Sequence, residues 1–180
     1  MLKCIFKVLN MYKELLIGCG SQHTKRLWSD DKKEWQNLIT LDINKDHKPK
    51  VVHDLTLFPY PFKANTFDEI HAYEVLEHTG QQGDYKFFFR QFNELHRIMK
   101  PDSTLFATCP SIDSRWAWGD PSHTRVFPSE YLTFLSLENY RQQVGKTAIS
   151  DFRYLMTCDF ETVYCKDNGQ HLLFALRAIK

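Results

Sequence analysis

The sequence predicts an α/β protein: a mostly parallel sheet with helices on both faces and an antiparallel β-hairpin at its C-terminal end. Three observations carry that expectation. Short apolar runs recur through the first 110 residues, and four of the five stop at Gly, Asp or Pro. A helix-period stripe of large apolar residues follows the fourth of these runs. Near the C-terminus two strand-like runs flank Asp167-Asn168-Gly169, and Asn-Gly is a strong hairpin signal. Strands that alternate with helical segments bury their faces in a parallel sheet covered by helices.

Residues 12–17 read as a short buried strand that ends at Gly18. Residues 23–36 are polar with scattered Leu27, Trp28 and Trp35, which is at best a weak helix. Residues 38–41 form a second strand, stopping at Asp42, and residues 51–53 a third, stopping at Asp54. Pro59 and Pro61 then force a loop, because each fixes φ and lacks a backbone donor. A fourth strand lies within residues 67–76. After the break at 80–83, Phe88, Phe92, Leu95 and Met99 fall at helical spacing, with Tyr85 and Phe89 beside them; this stripe reads as core. Residues 104–109 make a fifth strand, closed by Pro110. Residues 111–127 are irregular and rich in Trp, Asp, His and Arg, and Pro128 opens a helix over about 129–137. Residues 160–165 and 171–179 form the hairpin. At 180 residues the chain reads as one domain. Residues 1–10 read as a loose extension, and Met11 as an alternative start.

Composition narrows the function classes. The formal net charge of +1 supplies no basic field for nucleic acid. No apolar run approaches the roughly 20 residues of a membrane helix, and Lys3 and Lys7 interrupt the apolar N-terminus that a secretion signal needs. The five cysteines form no C-x-x-C pair and fit free thiols in a reducing compartment, so a cytoplasmic location is expected. The eight histidines include no H-x-x-x-H, and no metal site is expected from their spacing.

In an open parallel sheet, ligands bind beyond the C-terminal ends of the strands. The first strand ends in Gly18-Cys19-Gly20, where backbone N–H groups can approach a ligand with no Cβ in the way. The second ends in Asp42, some twenty residues on, where a carboxylate can accept both hydroxyls of a ribose. The third ends in Asp54, which could accept from an adenine amine or simply start a turn. Taken together, the three point to an adenosine-type ligand.

The chain resembles the class I S-adenosylmethionine-dependent methyltransferases. The resemblance runs through Leu16-Ile17-Gly18-Cys19-Gly20, Leu41-Asp42-Ile43, His53-Asp54-Leu55, Phe67-Asp68-Glu69-Ile70, Glu74-Val75-Leu76-Glu77-His78 and Arg97-Ile98-Met99-Lys100-Pro101. It covers about residues 12–110. The segment from Gly119 to Arg125 is also similar to small phage-type and environmental methyltransferases. The resemblance implies a Rossmann-like fold with S-adenosylmethionine as cofactor. It implies that Gly18, Cys19 and Gly20 wrap the methionine part, Asp42 binds the ribose and Ile43 packs on the adenine. Asp54 and Leu55 would hold the adenine edge, and Glu74 would lie beside the transferring methyl.

Methyl transfer from a sulfonium is an in-line displacement that rests on positioning, and a base is needed only if the acceptor must lose a proton early. His78 and His123 are the candidate bases. The segment 111–127 has the features of a substrate lid, with Trp116, Trp118, Asp120 and Arg125 as candidate acceptor contacts. The acceptor is expected to be a small molecule or an exposed group on a larger one. Two alternatives stand beside this reading. One is a weakly active or scaffold protein that still binds the cofactor, suggested by Leu16 and Gln22 where an acid and a third glycine are usual. The other is a nicotinamide-dependent oxidoreductase, which would share the glycine loop and Asp42.

Overall fold

The computed structural model describes residues 11–180, so the extension expected at 1–10, and with it the choice of start, lies outside the described residues. The strands are β1 (Glu14–Ile17), β2 (Leu38–Asp42), β3 (Val51–Val52), β4 (Phe67–Tyr73), β5 (Met99–Pro110), β6 (Phe160–Asp167) and β7 (His171–Ala178). They form one sheet in the order β3-β2-β1-β4-β5-β7-β6. The first five run parallel, and β7 lies antiparallel between β5 and β6. After β1 the chain steps outward through β2 and β3, then crosses to β4 on the other side of β1. The strand ends at this switch are nearly flush: Ile17 pairs with both Leu41 and Ala72. The antiparallel return brings His171 opposite Pro110, so the tip of the C-terminal hairpin sits at the same edge.

Strand alternation gives the sheet two unlike faces. One carries Leu15, Ile17, Leu41, Ile70, Ala72, Leu105, Phe174 and Leu176, and it forms the main core with Phe89, Phe92, Leu95 and Ile98 of the helix α1 (Tyr85–Ile98). Asp84 caps this helix by accepting from the Phe87 N–H at 3.0 Å. Phe127 stacks on Phe174 with centroids 5.5 Å apart and extends that core beneath the irregular segment.

The other face is polar at its centre. Glu14, Glu69, His71 and Tyr73 point to it and are buried. The chain between β1 and β2 covers them without forming a helix. Lys25 turns inward and pairs with Glu14 and, at 3.0 Å, with Glu69, while Ser29 also donates to Glu69. Burial would raise the Glu69 pKa, but hydrogen bonds from His71, Ser29 and Lys25 outweigh it and hold the carboxyl well below the usual range. Asp30 and Asn37 adopt left-handed φ, which no helix accommodates.

The helix expected over 129–137 is a 3₁₀ turn at Ser129–Leu135, followed by the helix α3 (Leu137–Gln143), which Ser136 caps. Within 111–127 there is one helical turn, α2 (Trp116–Gly119). No helix among the described residues is long and apolar enough to cross a membrane.

Candidate functional site

The loop after β1 is shaped by two glycines with different reasons for being glycine. Gly18 and Gly20 both lie at positive φ, +57° and +53°. A Cβ on Gly18 would fall 2.2 Å from Val75 Cγ2, so the loop packs directly on the chain leaving β4. At Gly20 a Cβ would meet nothing, and the backbone faces open space. The Cys19 side chain is buried, and its N–H donates to Leu41 O at 3.1 Å.

Asp42 joins the two strand ends. Its carboxylate accepts from the Gly20 N–H and from the Asn44 N–H, each at 2.8 Å. A carboxylate offers about four lone-pair sites, so two backbone bonds leave capacity for two hydroxyls. Next to it Ile43 presents an apolar surface, 66% exposed. Asp54 starts a turn, accepting from Thr56 N–H and Oγ1 at 2.8 Å each. The Leu55 side chain is only 6% exposed and belongs to the core, so Leu55 could serve a ligand through its backbone alone.

A cavity of about 260 Å³ opens on the glycine loop, lined by Gly18, Gly20, Gln22, Arg26 and Tyr73 among others. Arg26 carries no motif in the sequence. Its guanidinium lies over the Tyr73 ring at 5.5 Å.

Glu74 adopts a left-handed φ of +52°, where a non-glycine residue is strained. Its N–H donates to Thr108 O at 2.8 Å, and its Oε1 meets His171 Nδ1 at 3.2 Å and Arg26 Nη1 at 4.0 Å. Glu74 also lines a second cavity, of about 390 Å³, together with Glu77, His78, Trp116, Asp120 and His123. The Arg26–Glu74 pair therefore stands between the two spaces. The hairpin tip closes the second one: Ser111 N–H donates to Gln170 O at 2.9 Å, and Ser111 Oγ to Asp167 at 2.9 Å.

Three titratable side chains converge there. Glu77 is 2% exposed, and neither carboxylate oxygen has a hydrogen-bond partner. Burial, reinforced by the nearby Glu74 charge, pushes its pKa up to about 8. Its Oε1 is 4.0 Å from Nε2 of both His78 and His123. The 3₁₀ turn Leu76–His78 holds Glu77 and His78, and the Thr124 and Arg125 N–H groups bring His123 alongside by donating to Glu77 O at 2.9 and 3.2 Å.

Of the expected acceptor contacts, Trp116 lines the second cavity and is 61% exposed, and Asp120 lies beside His123. Trp118 is 73% exposed and its Nε1–H donates to Ile112 O at 3.3 Å, outside the cavity lining. Arg125 corrects the expectation. It turns inward, and its guanidinium donates to Leu76 O at 2.9 Å and Gln91 Oε1 at 2.6 Å. It braces the Leu76–His78 turn against α1 and leaves the cavity to the histidines. His171 and Gln170, unremarked in the sequence, join the lining because the hairpin returns to this edge.

No protein-family model matches the chain, and no curated protein matches it significantly. Solved structures do. A SAM-dependent methyltransferase from Archaeoglobus fulgidus superposes with a TM-score of 0.58 at 16% identity, over 93% of this chain and 86% of that one. The N-methyltransferase NodS from Bradyrhizobium japonicum, in complex with S-adenosyl-L-homocysteine, gives 0.54 at 14% identity, over 94% and 79%. The 4+2 cyclase SpnF gives 0.55 at 16% identity, over 94% and 75%. The chain has the Rossmann-like fold of these proteins, with the antiparallel β6–β7 pair completing the sheet.

Proposed function

We propose that the chain is an S-adenosylmethionine-dependent methyltransferase, with the cofactor on the glycine loop and the acceptor in the cavity beyond Glu74. The observation that carries this reading is the junction of the two cavities at Arg26 and Glu74. Group transfer needs two binding spaces that meet at one point, and the strained Glu74 backbone marks that point.

The residues fit the cofactor at each end. Gly20 would offer bare backbone to the methionine part, and Gly18 lines the same cavity while packing on Val75. Arg26, which lines the same cavity, would pair with the methionine carboxylate. Asp42 would accept the ribose hydroxyls while still holding Gly20 and Asn44. Ile43 would cover one face of the adenine. When bound, the cofactor supplies a methyl group on a positively charged sulfur, open to displacement by an acceptor lone pair. The chain's own work is to align the acceptor and exclude water. Trp116, Asp120 and His123 would orient it, and His78 or His123 would take a proton from an acceptor that must lose one.

Calorimetry with S-adenosylmethionine, S-adenosylhomocysteine and NAD tests the reading. Binding of the sulfur ligands and not of NAD is expected. Binding of NAD alone would refute it. Tight binding of the sulfur ligands without turnover on a broad acceptor panel would favour a scaffold.

A further inference from the structure

The acceptor cavity holds an unresolved electrostatic problem. A buried polar group without a partner costs about 1–3 kcal/mol, and a charged one more. Glu77 has two such oxygens. The nearby cation does not answer them, because Arg125 directs its donors to Leu76 O, Gln91 and Thr79. The His123 side chain is 8% exposed and also has an unpartnered Nδ1, so no competing hydrogen bond fixes that ring elsewhere.

We propose that Glu77, His78 and His123 bind a divalent transition-metal ion in this cavity. One ligand atom from each of the three lies within 4.8 Å of the others. The two histidine Nε2 atoms stand 4.0 Å from Glu77 Oε1, and Asp120 Oδ2 is 3.9 Å from His123 Nε2. Ligands at about 2.0–2.2 Å from a tetrahedral ion are roughly 3.4 Å apart, so a contraction brings the three residues into the shell and leaves its fourth position open. Ser122 faces the other nitrogen of His78, with Oγ 3.1 Å from Nδ1, and Asp120 in turn accepts from Ser122. Such an outer contact fixes the ring and leaves Nε2 free to ligate. Two imidazoles with one carboxylate suit zinc or manganese.

The second buried cluster of this composition, Glu14, Glu69 and His71, makes the contrast. There the Lys25 ammonium already sits against both carboxylates, and no ion is called for.

One consequence rests on the methyl-transfer reading. The acceptor would present a hydroxyl oxygen to the position these ligands leave open, and a metal-bound hydroxyl gives up its proton to solvent nearer neutral pH. The histidines would then be ligands and not bases.

The test uses the full chain, stripped with a chelator and titrated with Zn²⁺ and separately with Mn²⁺ by calorimetry, with no cofactor present. One ion per chain is expected. Glu77→Gln and His123→Ala should each weaken binding at least about tenfold. Cys165→Ser, which removes an exposed thiol outside the cavity, should bind as the parent does. Circular dichroism checks each variant, and His78→Ala replaces any that fails to fold. No binding by the folded parent chain, or binding that survives these substitutions, overturns the proposal. S-adenosylhomocysteine titrated into the stripped protein reports on the cofactor reading by itself, so either can fail alone.

Discussion

Gly18→Ala and Gly20→Ala place the same methyl group in the same loop and should give different results. Both residues hold φ near +55°, where an L side chain costs about 1–2 kcal/mol. Gly20→Ala bears that cost only, since a Cβ there meets nothing within 4 Å. At Gly18 the new Cβ would lie 2.2 Å from Val75 Cγ2 and 2.7 Å from Val75 Cβ. Val75 is a buried core residue, so it has little room to yield. Overpacking of this kind adds about 1–3 kcal/mol. Gly18→Ala should therefore lose about 2–5 kcal/mol in all. Urea unfolding followed by circular dichroism measures both variants. Val75→Ala, added to Gly18→Ala, removes the 2.2 Å contact but leaves the 2.7 Å one. A double-mutant cycle should then show a favourable coupling of about 1 kcal/mol. If the two alanine variants agree within about 0.5 kcal/mol, the packing of the loop on Val75 is not what demands glycine at 18.

Three further outcomes follow from the site. Asp42→Ala should weaken S-adenosylhomocysteine binding by at least about 1.5 kcal/mol through lost charge-assisted hydrogen bonds, and an unchanged dissociation constant would show the ribose assignment wrong. Arg26→Ala should weaken S-adenosylhomocysteine but leave adenosine unchanged, because only the former carries the carboxylate; equal losses for both would remove Arg26 from that role. In metal-free protein, the raised pKa of Glu77 makes its contribution fully present below about pH 4.5 and lost as pH rises to about 8, since the native state holds the proton longer than the unfolded chain. Denaturation at pH 5 and pH 8 should therefore show Glu77→Gln gaining on the parent by a few kcal/mol between the two, and parallel stabilities would refute this account.

What the sequence disclosed and what it withheld divide along physical lines. Gly18, Asp42 and Asp54 were legible because each ends an apolar run, and a strand's end is a local event. Glu74 was visible for the same reason and through family resemblance. The chain over 21–37 was not, because its path depends on Lys25 finding Glu14 and Glu69 on two different strands. Arg125 reads as an acceptor contact in an irregular segment, yet its partners are a backbone carbonyl and Gln91, far away in the chain. The approach of His123 to Glu77 depends on backbone bonds that span 47 residues, from Glu77 to Thr124. No ligand spacing in the sequence could record that approach.

The coil that follows Gly20 has an electrostatic consequence. A helix starting there would direct the positive end of its peptide dipoles, about half a unit charge, into the glycine-loop cavity. The chain offers polar coil instead, and the cavity's positive charge rests on the Arg26 side chain, about half exposed. A diphosphate draws its binding from the N–H groups of a helix start and would find no such field. A zwitterion with a single carboxylate would need only one cation, the role proposed for Arg26.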